Sequence, residues 1–135
     1  MKKAAVLLVS VLIPFYCGCG SGEKKSAIGL ILNSKELTSI IENSGDSLVA
    51  FDMYADWCVP CHVLEPTLEQ VARENKNKVT FYKVNVDQVT EAAQTFPISA
   101  IPYVAFVKNK KTVAALTGVQ PKASYEKVIK DNSKK

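Results

Sequence analysis

The sequence predicts an α/β fold: a central mixed β-sheet flanked by helices on both faces. Apolar runs of strand length alternate with stretches of helical period, in the order β-α-β-α-β-α-β-β-α. The run at residues 48–54 is apolar on both faces, as expected of a central, doubly covered strand. A tight turn at Asn109-Lys110 joins the last two strands directly. The chain has 135 residues, 47% hydrophobic and 22% charged, which suits one globular domain with no bulk disorder. It shows no internal repeat and no low-complexity tract.

Each element has a local reason. Residues 27–32 form a short apolar run, read as the first strand. Asn33, followed three residues later by Glu36, opens a helix in the manner of a capping box, with Asn in place of Ser or Thr. Leu37, Ile40 and Ile41 give that helix one apolar face, and Asn43-Ser44-Gly45-Asp46 ends it as a turn. After the strand at 48–54, Val63, Leu64, Leu68 and Val71 mark the buried face of a helix running to about Glu74. Pro66 removes one hydrogen bond inside it and should bend it. Residues 79–86 alternate as a strand, with Val79, Phe81, Val84 and Val86 apolar. A short helix at 91–96 stops at Pro97. Ile101-Pro102-Tyr103 leads into a strand at 104–107, whose partner is 113–116. Gly118 breaks the pattern, and Pro121 opens a last helix with Tyr125, Val128 and Ile129 on its inner face.

The N-terminus has a different composition. Met1-Lys2-Lys3 is followed by 13 residues, 4–16, that are apolar apart from Ser10. That run is too short to span a bilayer as a helix but suits the core of a signal peptide; a buried core helix is the bland alternative. Residues 1–18 are expected to be a signal peptide, 19–26 a flexible tether and 27–135 the folded domain. Gly18-Cys19 resembles the lipobox of bacterial lipoproteins, in which the cysteine becomes the lipidated first residue. Tyr16 stands where such sequences usually have Leu, and Cys17, after Phe15-Tyr16, fits worse. Ordinary cleavage or an uncleaved anchor are the alternatives to lipidation at Cys19. The net charge is +4; without residues 1–18 it is 15 basic against 13 acidic, or +2. So mild a balance, with Arg73 the only arginine, argues against nucleic acid as a partner, and Lys134-Lys135 reads as a solvated tail.

The chemistry centres on Trp57-Cys58-Val59-Pro60-Cys61-His62, where a strand hands over to a helix. Unpaired N–H groups and the helix dipole favour an anion there, and such placement lowers a thiol's pKa from about 8.5 to roughly 3.5–7.5. Cys58 is therefore expected to be the exposed nucleophile. Cys61, nearly one turn further on, is close enough to resolve a mixed disulfide. The alternatives are half a zinc site, with His62, Cys17 or Cys19 as further ligands, or two inert thiols. No metal is expected.

Asp52 is the one charge in an otherwise apolar strand. Burial should raise its pKa and suit it to accept the proton of Cys61; pointing at solvent from a strand edge is the bland reading. Trp57 offers a flat apolar surface beside Cys58, or packs locally. His62, the only histidine, either tunes Cys58 or is simply exposed.

These residues resemble the thioredoxin family over nearly all of residues 27–135. The matches are Asp52, Ala55, Trp57-Cys58-Val59-Pro60-Cys61, Pro66, Lys83, Asp87, Ile101-Pro102 and Gly118. The 41 positions from Cys61 to Pro102 are the spacing of plain thioredoxins, without the insertions of periplasmic disulfide oxidases or cytochrome-maturation thioredoxins. Val59 and His62 stand where family members commonly have Gly and Lys, Tyr54 where Trp is frequent, and Ala100 where Gly is frequent. The Tyr-Ala-Asp-Trp-Cys-Val string also looks like the C-terminal domain of the membrane electron transporters that reduce the periplasm.

The resemblance implies a thioredoxin fold, a redox-active Cys58–Cys61 disulfide, no cofactor and a monomer. It makes Lys83 the neighbour of Asp52 on the next strand, and Pro102 a cis-proline facing the dithiol. Trp57, Pro60, Ile101 and Pro102 would bind substrate, with the Ile101 backbone pairing an extended client segment. The implied function is a protein-disulfide reductase acting on extracytoplasmic, disulfide-containing clients, fed by a membrane donor of thiol electrons. An oxidase or isomerase would run the same dithiol backwards, since direction follows potential, about −270 mV for thioredoxin and about −120 mV for strong oxidases. Val59-Pro60 lacks the histidine that makes those oxidases oxidising, which favours reduction. A non-catalytic binding module of the same fold is the remaining class.

Overall fold

The computed structural model describes residues 25–133. The expected signal peptide, most of the tether, Cys17, Cys19 and Lys134-Lys135 lie outside the described residues. Within them the elements run β1 (Gly29–Ile31), α1 (Ser34–Glu42), β2 (Leu48–Tyr54), α2 (Val59–Glu74), β3 (Val79–Asn85), α3 (Ala92–Thr95), β4 (Tyr103–Lys108), β5 (Lys111–Thr117) and α4 (Lys122–Asn132). This is the order expected from periodicity.

The sheet order is β1-β3-β2-β4-β5. Strands β1, β3 and β2 are parallel, whereas β4 runs antiparallel to both β2 and β5. The central position of β2 follows from its composition: its first six residues are buried. Alternation along the strand sends successive side chains to opposite faces. Val49, Phe51 and Met53 join Leu37, Ala92 and Phe96 in the core under α1 and α3. Leu48 and Ala50 join Leu64, Leu68, Val71, Tyr125 and Ile129 in the core under α2 and α4. Asp52 belongs by period to the second row, so α2 covers it.

The local signals do what their chemistry demands. The Asn33 side-chain oxygen accepts the Glu36 N–H at 3.0 Å, capping α1. Glu36 reaches back to the N–H of Leu32 at 3.0 Å, one residue beyond the usual capping-box partner. Asn109 and Lys110 both have positive φ, 51° and 64°, as a two-residue turn between twisted strands requires.

Two expectations need correction. Helix α2 begins at Val59, four residues before the apolar period suggested, because Cys58 is its N-cap and Pro60 lies in the first turn, where a missing N–H is harmless. Val63, expected on the buried face, is 62% exposed. The buried stripe of α2 is Cys61, Leu64, Leu68, Val71 and Ala72, and Val63 sits with Val59 one helical turn apart on the outer side.

Candidate functional site

Strand β2 ends at Tyr54, and four residues later Cys58 caps α2. The Cys58 sulfur accepts the N–H of Cys61 at 3.3 Å, and the Cys58 carbonyl accepts the N–H groups of Cys61 and His62 at 3.1 and 3.3 Å. Cys58 thus occupies the positive end of the α2 dipole, which favours its thiolate in the reduced protein. In this structure the two sulfurs are joined, with an S–S distance of 2.06 Å.

The exposure expected of Cys58 is not found. In the disulfide state Cys58 is 2% exposed and Cys61 6%. Both pack on Ala55, with Tyr54, Val86 and Ile101 closing over them. The residues around them are the exposed ones: Trp57, Val59, Pro60 and Val63. This leaves an apolar rim around a covered disulfide.

Trp57 is exposed, yet its indole N–H donates to Asp87 Oδ2 at 2.8 Å. Asp87 is set in turn by its own N–H, which donates to Asn85 Oδ1 at 3.0 Å. Asp87 is one of the residues that carry the family resemblance, but no local pattern marks it for orienting the indole. The Ile101-Pro102 peptide is cis, and Pro102 is buried. Its carbonyl accepts the N–H of Gly118 at 2.8 Å, from a backbone with φ of 77° that favours glycine. Ile101 packs against the disulfide, so the cis peptide and the sulfurs share one corner of the molecule.

Asp52 is 4% exposed, and its Oδ1 has no hydrogen-bond partner. Burial pushes its carboxyl up to about 7; Lys83 pulls it down, and Glu65 pushes it up further. The solvent-facing reading of Asp52 is therefore wrong.

Lys83 is Asp52's register partner across β2 and β3, as expected, but the two do not form an ion pair. The Lys83 ammonium donates to Glu65 Oε1 at 2.5 Å and stands 4.6 Å from the centre of the Tyr54 ring. The reason is solvation. Glu65 is half in water, whereas Asp52 is buried, where a charge costs far more hydration.

Sequence reasoning missed Glu65. The available signal was its place four residues after Cys61, and so one turn further along the same helix. On the other side of Asp52, burial pushes the Tyr125 phenol of α4 up to about 12, and the charge of Asp52 adds to that. His62 is exposed at the outer surface, with its Nε2 2.9 Å from the Asp56 carbonyl and its Nδ1 4.0 Å from Glu65.

A dithiol at this position can exchange with a client disulfide, and a buried carboxyl that titrates near neutrality can take or return the proton that exchange requires. Comparison with known proteins agrees. The thioredoxin family model matches residues 29–131. Thioredoxin AMT13 of Alternaria alternata is 36% identical over 106 residues, covering 78% of this chain and 87% of that protein. A thioredoxin of Mycoplasmoides gallisepticum is 37% identical over 100 residues, covering 74% of this chain and 97% of the relative. Among solved structures, the Malassezia sympodialis thioredoxin superposes with a TM-score of 0.72 at 30% identity, over 79% of this chain and 91% of that one.

Proposed function

The chain belongs to the thioredoxin family, and we propose that it reduces disulfides of extracytoplasmic client proteins from a membrane tether at Cys19. The disulfide reductase activity follows from its C-x-P-C pair and its thioredoxin relatives. One observation carries the mechanism: a Cys58–Cys61 disulfide at the head of α2, the helix that covers the buried carboxyl of Asp52, whose Oδ1 has no hydrogen-bond partner.

In the reduced protein the Cys58 thiolate attacks one sulfur of the client disulfide. The client S–S bond breaks, and its other sulfur leaves as a thiolate that picks up a proton. Cys61 then gives its proton to ionised Asp52 and attacks the Cys58 sulfur. The mixed disulfide breaks, the second client thiolate leaves, and Cys58–Cys61 is again a disulfide. Two electrons have passed from the dithiol to the client. The apolar rim that includes Trp57, Val59 and Pro60, with Ile101 packed against the disulfide, suits an extended client segment laid beside Pro102. A donor of thiol electrons must then restore the dithiol, and outside the cytoplasm a membrane transporter is the source that fits.

Support for export and tethering lies in residues 1–26: a positive start, 13 apolar residues, then Gly18-Cys19 and a polar tether. The reading is tested in two ways. Insulin reduction with a dithiol donor should proceed with the wild type and stop with Cys58→Ser, while Cys61→Ser accumulates mixed disulfides with clients. A Cys58→Ser protein that traps clients as well as Cys61→Ser does would reverse the two roles. In cell fractions the wild type should sediment with membranes, and Cys19→Ala should remain an unprocessed precursor or be released. A wholly soluble wild type would remove the tether and leave simple secretion.

A further inference from the structure

We propose that Glu65 is a positioning residue for proton transfer at Asp52: it holds the Lys83 ammonium on α2 and so leaves the buried carboxyl without a cationic partner. This rests on the reading above, in which Asp52 takes the proton of Cys61.

The geometry sets up a competition. Asp52 and Lys83 are register partners on adjacent parallel strands, so their side chains rise on the same face of the sheet. That face lies under α2, which carries Glu65. The Lys83 side chain is only 19% exposed, so its ammonium needs a counter-charge. Two carboxyls are within its range of influence, Asp52 on the strand beside it and Glu65 above it. It bonds Glu65 at 2.5 Å, and Asp52 Oδ1 is left with no partner at all. Glu65 is 41% exposed at its side chain, so a charge there loses far less hydration than one on buried Asp52.

The remaining groups around Asp52 do not offer a substitute. Its antiparallel partner on β4 is Val104, which is apolar. From α4 comes the Tyr125 phenol, a neutral group held in its protonated form by burial. His62 lies beyond Glu65, with its Nδ1 4.0 Å from the second carboxylate oxygen and its Nε2 anchored at the Asp56 carbonyl. Tyr54 lies under the Lys83 ammonium and stabilises it where it is.

Removing the Glu65 charge has two effects, and they have the same sign. A negative charge near Asp52 disappears, and a positive one is freed to approach it. Both favour ionised Asp52, in keeping with the directions in which Glu65 and Lys83 now act on it.

The test is to follow two quantities against pH in full-length protein: the carboxyl signal of Asp52 and the single-turnover rate of client release. In Glu65→Gln both midpoints should move to lower pH by about one unit, the scale of one charge at close range. In Glu65→Gln/Lys83→Gln, with no ammonium left to approach, the midpoints should climb back above those of the single variant. A purely structural salt bridge would alter melting but move neither midpoint. Unchanged midpoints in Glu65→Gln would overturn the proposal, as would an equal fall in the double variant. If the Asp52 signal moves while the release profile stays fixed, Glu65 governs Lys83 as inferred, and it is the base role of Asp52 that fails.

Discussion

The two faces of the central strand differ in polarity by one side chain. Toward α1 and α3, β2 presents Val49, Phe51 and Met53, and Phe51 stacks on Tyr82 with ring centres 6.0 Å apart and tilts against Phe96 at 5.7 Å. Toward α2 and α4 the same strand presents Leu48, Ala50 and then Asp52. Both rows are buried to nearly the same degree. The first is packed for stability, whereas the second gives up stability to bury a carboxyl, the one to which the proposed mechanism assigns the proton of Cys61. A carboxyl with an unpartnered oxygen in an apolar row costs stability, and that cost marks it as a candidate functional group.

The contrast can be broken at either row. The largest effect expected is on chemistry at the Asp52 row. Asp52→Asn should slow release of the reduced client by about 10²–10⁴-fold, the usual worth of general base catalysis, with first attack by Cys58 little changed. Single-turnover kinetics separate the two steps. Release rates that match the wild type between pH 5 and 8, roughly the window of a raised carboxyl, would show that another group takes the proton.

At the opposite row, Phe51→Ala should destabilise the fold by about 3–5 kcal/mol in denaturant melts, since it empties a fully buried aromatic site. The potential of the Cys58–Cys61 couple should stay near the wild-type value in protein that remains folded. A large change in potential would mean that the two faces are not separable as argued.

The smallest of the three effects is also the most diagnostic, because it depends on pH. The folded-state pKa of Asp52 is raised from 3.8 to about 7, so between those values the folded state binds more protons than the unfolded one. Stability must then fall as pH rises through that window, by at most on the order of 4 kcal/mol, and level off above it. Asp52→Ala removes this dependence. Melts should find it more stable than the wild type at pH 8 and show the gain shrinking toward pH 4. A variant less stable at pH 8 would reveal a structural pairing of Asp52 that its unpartnered oxygen gives no hint of.

The same contrast shows how far the sequence could be read. Period and capping located every element in order, and the apolar run of β2 placed it at the centre, since these signals arise within a few residues of each other. The cysteine pair and Asp52 were legible for a related reason: a C-x-P-C at a strand-to-helix junction and a lone charge in an apolar strand are local oddities. Val63 faces solvent because α2 packs on the stripe of Cys61, Leu64, Leu68, Val71 and Ala72, which lies about 100° round the helix from it, and an apolar residue next to that stripe looks the same in sequence. The burial of Cys58 was missed because it depends on Tyr54, Val86 and Ile101, which come from three separate stretches of chain.

By itself, then, the sequence determined the element types, the doubly covered strand and the position of the dithiol, because hydrophobic period, turn chemistry and helix-end electrostatics act over short range. Tertiary structure decided the charge pairing. Lys83 lies opposite Asp52 in register yet binds Glu65, and no local pattern ranks those two carboxyls. Their difference is solvation: one lies under α2 and the other at its water-facing edge, and that depth exists only once the helix has packed on the sheet.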